Sequence, residues 1–337
     1  MNDPFFIVGN SRSGTTLVSR ILKNHPDIHV LNETHVFDEF ASEKQRFQAL
    51  NESEIFRMIN SMLTIQRKDY YRKSEYEEYP EEAGAILAAF RQHPDQQTFG
   101  ALNKLFFDHE ASKNGKSRSG DQTPRHVFNI DEIFLLYPEA KIIHMVRDPR
   151  AVLFSQKKKW TSGLRRKQPL FEIIRTFINY HPITMSILWG RAVNAGLKAE
   201  SRYGPERVKT IFFEAFVMSP EDHTKALCEF IGESFYPGMT EVDVELSASS
   251  ENEGKKGVAS AVVSQWKNKL SGTETFFCEK YAGDTMLKTG YTRTGANPNR
   301  LLWAGYLAWL PLHLGISFLM NISRIGNPIQ YIAKRFF

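Results

Sequence analysis

Hydrophobic residues along the chain fall into short continuous runs that alternate with longer stretches of helical period. "FFIV", residues 5–8, is followed by the turn-rich "GNSRSG" and then by Leu17, Ile21 and Leu22 at helical spacing. That order predicts a buried strand, a tight loop from Gly9 to Gly14 and a helix. "DIHVLNETHVF" predicts a second strand ending near Leu31, with Asn32, Glu33 and Thr34 at its C-terminal edge, where open parallel sheets bind ligands. Residues 52–67 (Ile55, Met58, Ile59, Met62, Leu63) and 97–111 (Phe99, Leu102, Leu105, Phe106) repeat at helical period. The charged, tyrosine-rich "KDYYRKSEYEEYPEEAG" between them reads as a loop or lid over a site.

In the second half, "KSRSGDQTPRHVFNIDEIFLLYPEA" predicts a short segment and a helix up to Tyr137, and Lys141 to Val146 predicts a strand. A helix follows from Pro149, whose missing N–H costs nothing in a first turn. "RVKTIFFEAF" reads as another strand, and "SPEDHTKALCEFIG" as a helix with Ser219 at its N-cap, Pro220 in its first turn and Gly232 closing it. "SASSENEGKKGVAS" is polar loop by composition, and "VVSQWKNKL" then precedes a helix ending near "MLKTGY". Strands alternating with helices predict an α/β fold, a parallel sheet flanked by helices on both faces.

Composition narrows the function without choosing it. The 337 residues, 42% hydrophobic, suffice for one large α/β domain or two small ones. A net charge of +5, from 43 Lys and Arg against 38 Asp and Glu, suits small anionic ligands or a membrane surface better than a nucleic-acid groove. Cys228 and Cys278 read as buried thiols of a reducing compartment. "MNDPFFIVG" has neither a basic n-region nor a cleavage site, so a cytosolic domain is expected. The histidines lack ligand spacing, and no metal site is expected.

A strand, a glycine-bounded loop and a helix N-terminus gather backbone N–H groups and a positive dipole end around one point, which makes an anion site. Gly9 and Gly14 have the spacing of the P-loop pattern GxxxxGK[ST], and Thr16 supplies its hydroxyl. The lysine position, however, is Thr15, and the cation has moved inside the loop to Arg12. Without that lysine the γ-phosphate clamp is missing, which disfavours a kinase-like or NTP-hydrolysing enzyme. In "MVRDPRAVLFSQ", Arg147 leaves a strand end and Ser155 lies about two helical turns on, so a guanidinium fork and a hydroxyl can converge on one phosphate. Taken alone, the segment reads more simply as Arg147 paired to Asp148 with a serine on a helix surface.

Together, "RSGTTL" after the first strand, "NET" after the second, "TPRH" before a helix and "VRDPRAVLFS" after a central strand resemble the sulfotransferase superfamily that uses 3′-phosphoadenosine 5′-phosphosulfate (PAPS). The likeness is to bacterial sulfotransferase family proteins and to tyrosylprotein and carbohydrate sulfotransferases. It covers residues 4 to 291, through Trp266 and the closing "TGY". The resemblance implies a P-loop-type sheet in a domain over residues 1–295. It also implies PAPS as co-substrate without a metal, and transfer of a sulfuryl group to a hydroxyl or amine acceptor. It assigns Arg12, Ser13, Gly14, Thr15 and Thr16 to the 5′-phosphosulfate, and Arg147 and Ser155 to the 3′-phosphate. Glu33 matches the family's catalytic base, with His35 as the alternative and a salt bridge from Glu33 to Arg12 as the non-catalytic reading. Many relatives carry a lysine before the Thr-Pro, where this chain has Gln122, so the leaving-group charge falls to Arg12, with Arg125 or Lys116 as helpers. The substitution also keeps open a non-catalytic protein that binds 3′-phosphoadenosine 5′-phosphate (PAP). Glu214 in "FFEAF" is read as structural, and Lys255 or Lys256 as candidates to fold over the 3′-phosphate.

The resemblance does not cover residues 296–337. Leu301 to Met320 holds no formal charge with His313 neutral, Arg300 and Arg324 bracket it, and no Asp or Glu follows Asp284. A helix apolar all round is buried in protein or lipid, and this one approaches the length of a bilayer crossing. Pro311 predicts a kinked or re-entrant path, and Trp303, Tyr306 and Trp309 favour an interface. A membrane surface is therefore an expected partner, with a lipid or glycolipid acceptor at the cytosolic face. The alternative is a C-terminal helical hairpin packed on the domain or in a dimer.

Overall fold

A computed structural model describes residues 3–39, 50–68, 70, 79–92, 98–165, 167–243, 257 and 260–322. Strands β1 (Phe5–Gly9), β2 (Ile28–Leu31), β3 (Arg118–Asp121), β4 (Lys141–Val146) and β5 (Val208–Phe212) form one sheet in the order β2-β3-β1-β4-β5. Every adjacent pair is parallel. Successive side chains of β1 point to opposite faces, so Phe6 and Val8 enter one core and Phe5 and Ile7 the other. The first core is closed by the Glu52–Lys68, Phe99–Lys113 and Ile130–Leu136 helices, the second by the Thr15–Lys23 and Pro220–Ile231 helices. The α/β architecture expected from the alternating pattern is the one observed.

Three segments differ from their sequence reading. "RSGD" is a strand, although its residues are mostly polar, because β2 and β1 flank it and satisfy its backbone on both sides. Glycine is required there: a Cβ at Gly120 would lie 2.4 Å from the Phe5 ring. "RVKTIFFEAF" is strand only to Phe212, and Phe213–Met218 is helical. Its neighbour β4 ends at Val146, the partner of Phe212, so beyond that point the backbone has no ladder to join. The stretch from Pro80 to Gly84 opens the Pro80–Arg91 helix, with Glu81 and Glu82 in the first turn, where the dipole favours acids. Of the remaining lid segment, residues 69 and 71–78 lie outside the described residues.

Smaller features follow local rules. Pro149 occupies the first turn of the Pro149–Lys157 helix, capped by the Asp148 carboxylate, which accepts from Arg150 N. Ser219 stands at the N-cap of the Pro220–Ile231 helix without a side-chain capping bond, and Gly232 closes that helix at φ 81°. Cys228 and Cys278 are free and buried, and burial pushes their thiols up to about 11 and about 12. The Arg300–Asn321 helix runs unbroken through Pro311. Arg324, Lys255 and Lys256 lie outside the described residues.

The contact between Phe5 and Gly120 yields a test. Gly120→Ala is expected to destabilise the fold by about 1–3 kcal/mol through overpacking, measured by urea unfolding. A second change, Phe5→Leu, should recover part of the loss in that background. Wild-type stability of the single variant would mean that Phe5 moves aside freely.

Candidate active site

All five strands end at one edge of the sheet, and the residue after each end belongs to the site: Asn32, Gln122, Asn10, Arg147 and Phe213. The loop after β1 turns sharply. Gly9 has φ 146° and no room for a side chain, since a Cβ would sit 2.4 Å from the Met145 carbonyl oxygen of β4. Arg12 adopts φ 76°, a left-handed conformation uncommon without glycine. Gly14 (φ 100°) precedes the Thr15–Lys23 helix, and a Cβ there would meet the Phe213 ring at 2.3 Å. These turns set Gly14, Thr15 and Thr16 at a helix N-terminus, where the first backbone N–H groups have no partner within the helix, while Ser13 N donates to the Asn10 carbonyl at 3.1 Å. The Ser13 hydroxyl is fully buried without a hydrogen-bond partner.

Arg12 and Ser155, 143 residues apart in sequence, meet directly: Arg12 Nε donates to Ser155 Oγ at 2.8 Å. Arg147 donates to the Arg12 carbonyl at 3.2 Å and to the Val262 carbonyl at 3.1 Å, and its guanidinium lies 4.3 Å from the Phe213 ring centroid. Its Nε is buried with no partner. Burial pulls Arg147 down to about 10 against the opposing charge of Glu214, and Arg12 lowers it further. The simple pairing of Arg147 with Asp148 does not form, because Asp148 holds Arg150 at 2.7 Å. Glu214 is structural as read: it accepts from Asp148 N at 3.0 Å and from the Tyr291 hydroxyl of "TGY" at 2.7 Å. Trp189 Nε1 fixes the Arg147 carbonyl at 2.9 Å, and the Trp266 ring lies under Arg150 at 4.2 Å.

On the other side of the loop, Gln122 Nε2 donates to Thr15 Oγ1 at 3.2 Å, placing a neutral donor against the phosphate loop. Lys116 is far from this point. It precedes β3, at the opposite end of the strand from Gln122, and its ammonium donates to the His25 carbonyl. Glu33 is partly exposed and receives His35 Nε2 at 3.1 Å. Burial pushes its carboxyl up, but the His35 hydrogen bond and charge, with the charges of Lys159 and Arg125, outweigh this and hold it below the usual range. His35 has φ 52° and packs against Tyr70 with ring centroids 4.0 Å apart and planes tilted by 39°.

What positions Glu33 was missed in the sequence. Asp121, the last residue of β3, is fully buried and accepts from Thr34 Oγ1 at 2.8 Å and Thr123 Oγ1 at 3.1 Å, with His126 Nδ1 at 2.9 Å. Thr34 N also donates to Thr123 Oγ1 at 2.9 Å. One carboxylate thus ties "NET" to "TPRH" and holds Glu33 and Gln122 on either side of it. The signal was Asp-x-Thr-x-x-His after a polar segment, which carries meaning only once that segment is known to be a strand.

A sequence model of the family described as "Sulfotransferase family" matches residues 4–237. A Caenorhabditis briggsae protein whose name assigns it as a protein-tyrosine sulfotransferase is 22% identical over 274 residues, 77% of this chain and 79% of its own. Nodulation protein NoeE of Sinorhizobium fredii is 22% identical over 305 residues, 86% of this chain and 66% of its own. Among solved structures, the sulfotransferase domain from the Synechococcus PCC 7002 olefin synthase aligns with a TM-score of 0.51 at 16% identity. That alignment covers 87% of this chain and 97% of the domain, a likeness of fold.

The Asp121 network makes a specific demand. Asp121→Asn replaces an acceptor of three donors by a group that itself donates, and is expected to cost about 1–3 kcal/mol for each donor left unsatisfied. Urea unfolding measures the loss. An unchanged midpoint would show that the network does not brace the site.

Proposed function

Because the chain belongs to the sulfotransferase family, we propose that it moves a sulfuryl group from PAPS to a hydroxyl or amine acceptor. The observation that carries this reading is the meeting of Arg12, Arg147 and Ser155 at a helix N-terminus, with a buried guanidinium nitrogen and a buried hydroxyl that lack partners. Such an array suits a ligand with two separate anionic groups. Arg12, Ser13, Gly14, Thr15 and Thr16 hold the 5′-phosphosulfate, and Arg147 with Ser155 holds the 3′-phosphate. Arg12 touches both halves through Ser155, so binding of one anionic group preorganises the other.

PAPS supplies the sulfuryl group and leaves as PAP. Glu33, at the end of β2, takes the acceptor proton as the acceptor oxygen or nitrogen bonds to sulfur. The sulfur–oxygen bond to the 5′-phosphate breaks, and its electron pair stays on the phosphate beside Arg12 and the helix N-terminus. Gln122 donates there without a charge, so Arg12 carries the electrostatic load, with Arg125 beside Glu33. A P-loop with Thr15 in the lysine position has no comparable hold on a γ-phosphate. The neutral Gln122 favours one second reading, a protein that binds PAP without turnover. Transfer of label from PAPS to any acceptor removes it.

The reading extends to the membrane. The Arg300–Asn321 helix is long and apolar enough to cross a bilayer by length and composition, and its exposed side chains suit association with the cytosolic face. Residues 296–337 then form an attachment segment outside the domain of residues 1–295, and a lipid or glycolipid is the acceptor class that such attachment serves.

Arg147→Ala is expected to weaken PAP binding far more than binding of adenosine 5′-phosphosulfate, by about 1.5–3 kcal/mol for the lost charge-assisted contact. Calorimetry with both nucleotides decides, and equal losses would make Arg147 structural only. Glu33→Gln should leave PAP affinity nearly unchanged and lower turnover by about 10² or more. The pH profile separates the two candidate bases. Glu33 loses its proton below the usual carboxylate pKa of about 4.3, so activity is flat through neutrality and falls only as pH drops through that lowered value. His35→Asn removes the lowering bond and should move the acid limb upward. A limb near the imidazole value of about 6.5 would give the role to His35.

A further inference from the structure

The Leu170–Ile178 helix is inverted with respect to water. Its charged residues face inward: Glu172 is 6% and Arg175 7% exposed, paired at 2.8 Å. Its apolar residues face outward, with Leu170 69% and Phe177 61% exposed and Phe171 and Ile174 beside them. The Arg300–Asn321 helix packs against it and against His181, the N-cap of the following Pro182–Tyr203 helix, through polar contacts spread along one stripe. The Tyr306 carbonyl meets His181 at 3.2 Å, His313 meets the Ile178 carbonyl at 3.0 Å, and Asn321 accepts from Arg175 at 2.7 Å. On its opposite stripe Leu301 is 85% and Leu319 68% exposed. These contacts, from Tyr306 to Asn321, hold that part of the helix on the domain surface beside its inverted neighbour.

We infer that the Leu170–Ile178 and Arg300–Asn321 helices form one continuous face that dips into an anionic lipid surface in the plane of the membrane. The inference rests on the membrane association proposed above and adds a second, internal element to it. Charge selects lipid over a second copy of the chain. Six of residues 157–167 are Lys or Arg, and of these Lys157 pairs with Glu274 at 2.8 Å. Glu172 is the single carboxylate between Asp148 and Glu200, and it is buried against Arg175. An interface with two-fold symmetry would bring two such basic clusters together, whereas anionic headgroups neutralise them. An apolar helix face beside basic residues is the arrangement of an interfacial helix.

The same face adjoins the site. The Lys159–Arg165 helix begins at Lys159, whose charge acts on Glu33, and its Trp160 packs edge-on against Phe177 with centroids 5.8 Å apart.

The test uses the full chain and sedimentation with vesicles of phosphatidylcholine, with and without phosphatidylglycerol. Wild type is expected to sediment with the anionic vesicles. The variant Phe171→Ser/Phe177→Ser should partition at least about tenfold less. Its affinity for PAP by calorimetry should match wild type, which shows that it is folded. Equal partition of variant and wild type overturns the inference and leaves the C-terminal helix as the whole attachment. No partition of wild type overturns the membrane reading and the inference with it. A wild-type dimer that becomes monomeric in the variant, without vesicle binding, reassigns the face to a second copy. Failure of wild type to bind PAP instead sinks the donor reading, which the vesicle measurement does not touch.

Discussion

Gly9 pairs with Met145 across β1 and β4, and that register is the constraint on which the site depends. It brings two strands from distant parts of the sequence to the same level at their C-terminal ends. The loop after one then lies beside Arg147 after the other. A slip of one residue would turn Phe6 and Val8 out of their core and Phe5 and Ile7 out of theirs, so burial on both faces locks the register. The close approach of the Met145 carbonyl to Gly9 means that only a residue without a Cβ can open the loop at this level.

Electrostatically, the site is prepared for a ligand that brings negative charge. Arg147 is buried at a cost visible in its lowered pKa, and its nearest support comes from neutral carbonyls and the face of Phe213. Desolvating a cation is expensive unless an anion answers it. Carboxylates nearby are otherwise employed: Asp148 holds Arg150, and Glu214 holds the Asp148 backbone and Tyr291. The acidic side of the site, around Glu33, is braced separately by Asp121. Arg147 and Glu33 thus sit after different strands, on either side of the loop after β1, with Gln122 bonded to Thr15 of that loop.

The apolar face of the Leu170–Ile178 helix reflects the same balance of burial and solvation read from the outside. Arg175 turns inward because Glu172 and Asn321 satisfy it there, which leaves the leucine, isoleucine and phenylalanine side chains to the exterior.

The chain's order of elements shows which properties were local. The apolar run of β1, the glycines at 9 and 14, Pro149 in a first turn and the helical spacing of residues 52–67 each depend on neighbours within a few positions, so the sequence alone determined the α/β class and the tight loop between β1 and the first helix. Arg12, Arg147 and Ser155 became candidates through the resemblance of "RSGTTL" and "VRDPRAVLFS" to sulfotransferase motifs, since the second segment by itself reads more simply as a local Arg147–Asp148 pair. Their meeting was decided by strand order, which the sequence does not write in any one segment. "RSGD" lacks every local mark of a strand and becomes one only because β1 and β2 pair with it on either side. Asp121 then acquires its role from Thr34 and His126, brought to it by that pairing. The inversion of the Leu170–Ile178 helix is likewise invisible in its amphipathic period, which states that two faces exist and not which one turns inward. Periodicity and glycine placement are properties of the local backbone, whereas pairing and burial are relations between distant segments, and only the tertiary structure sets them.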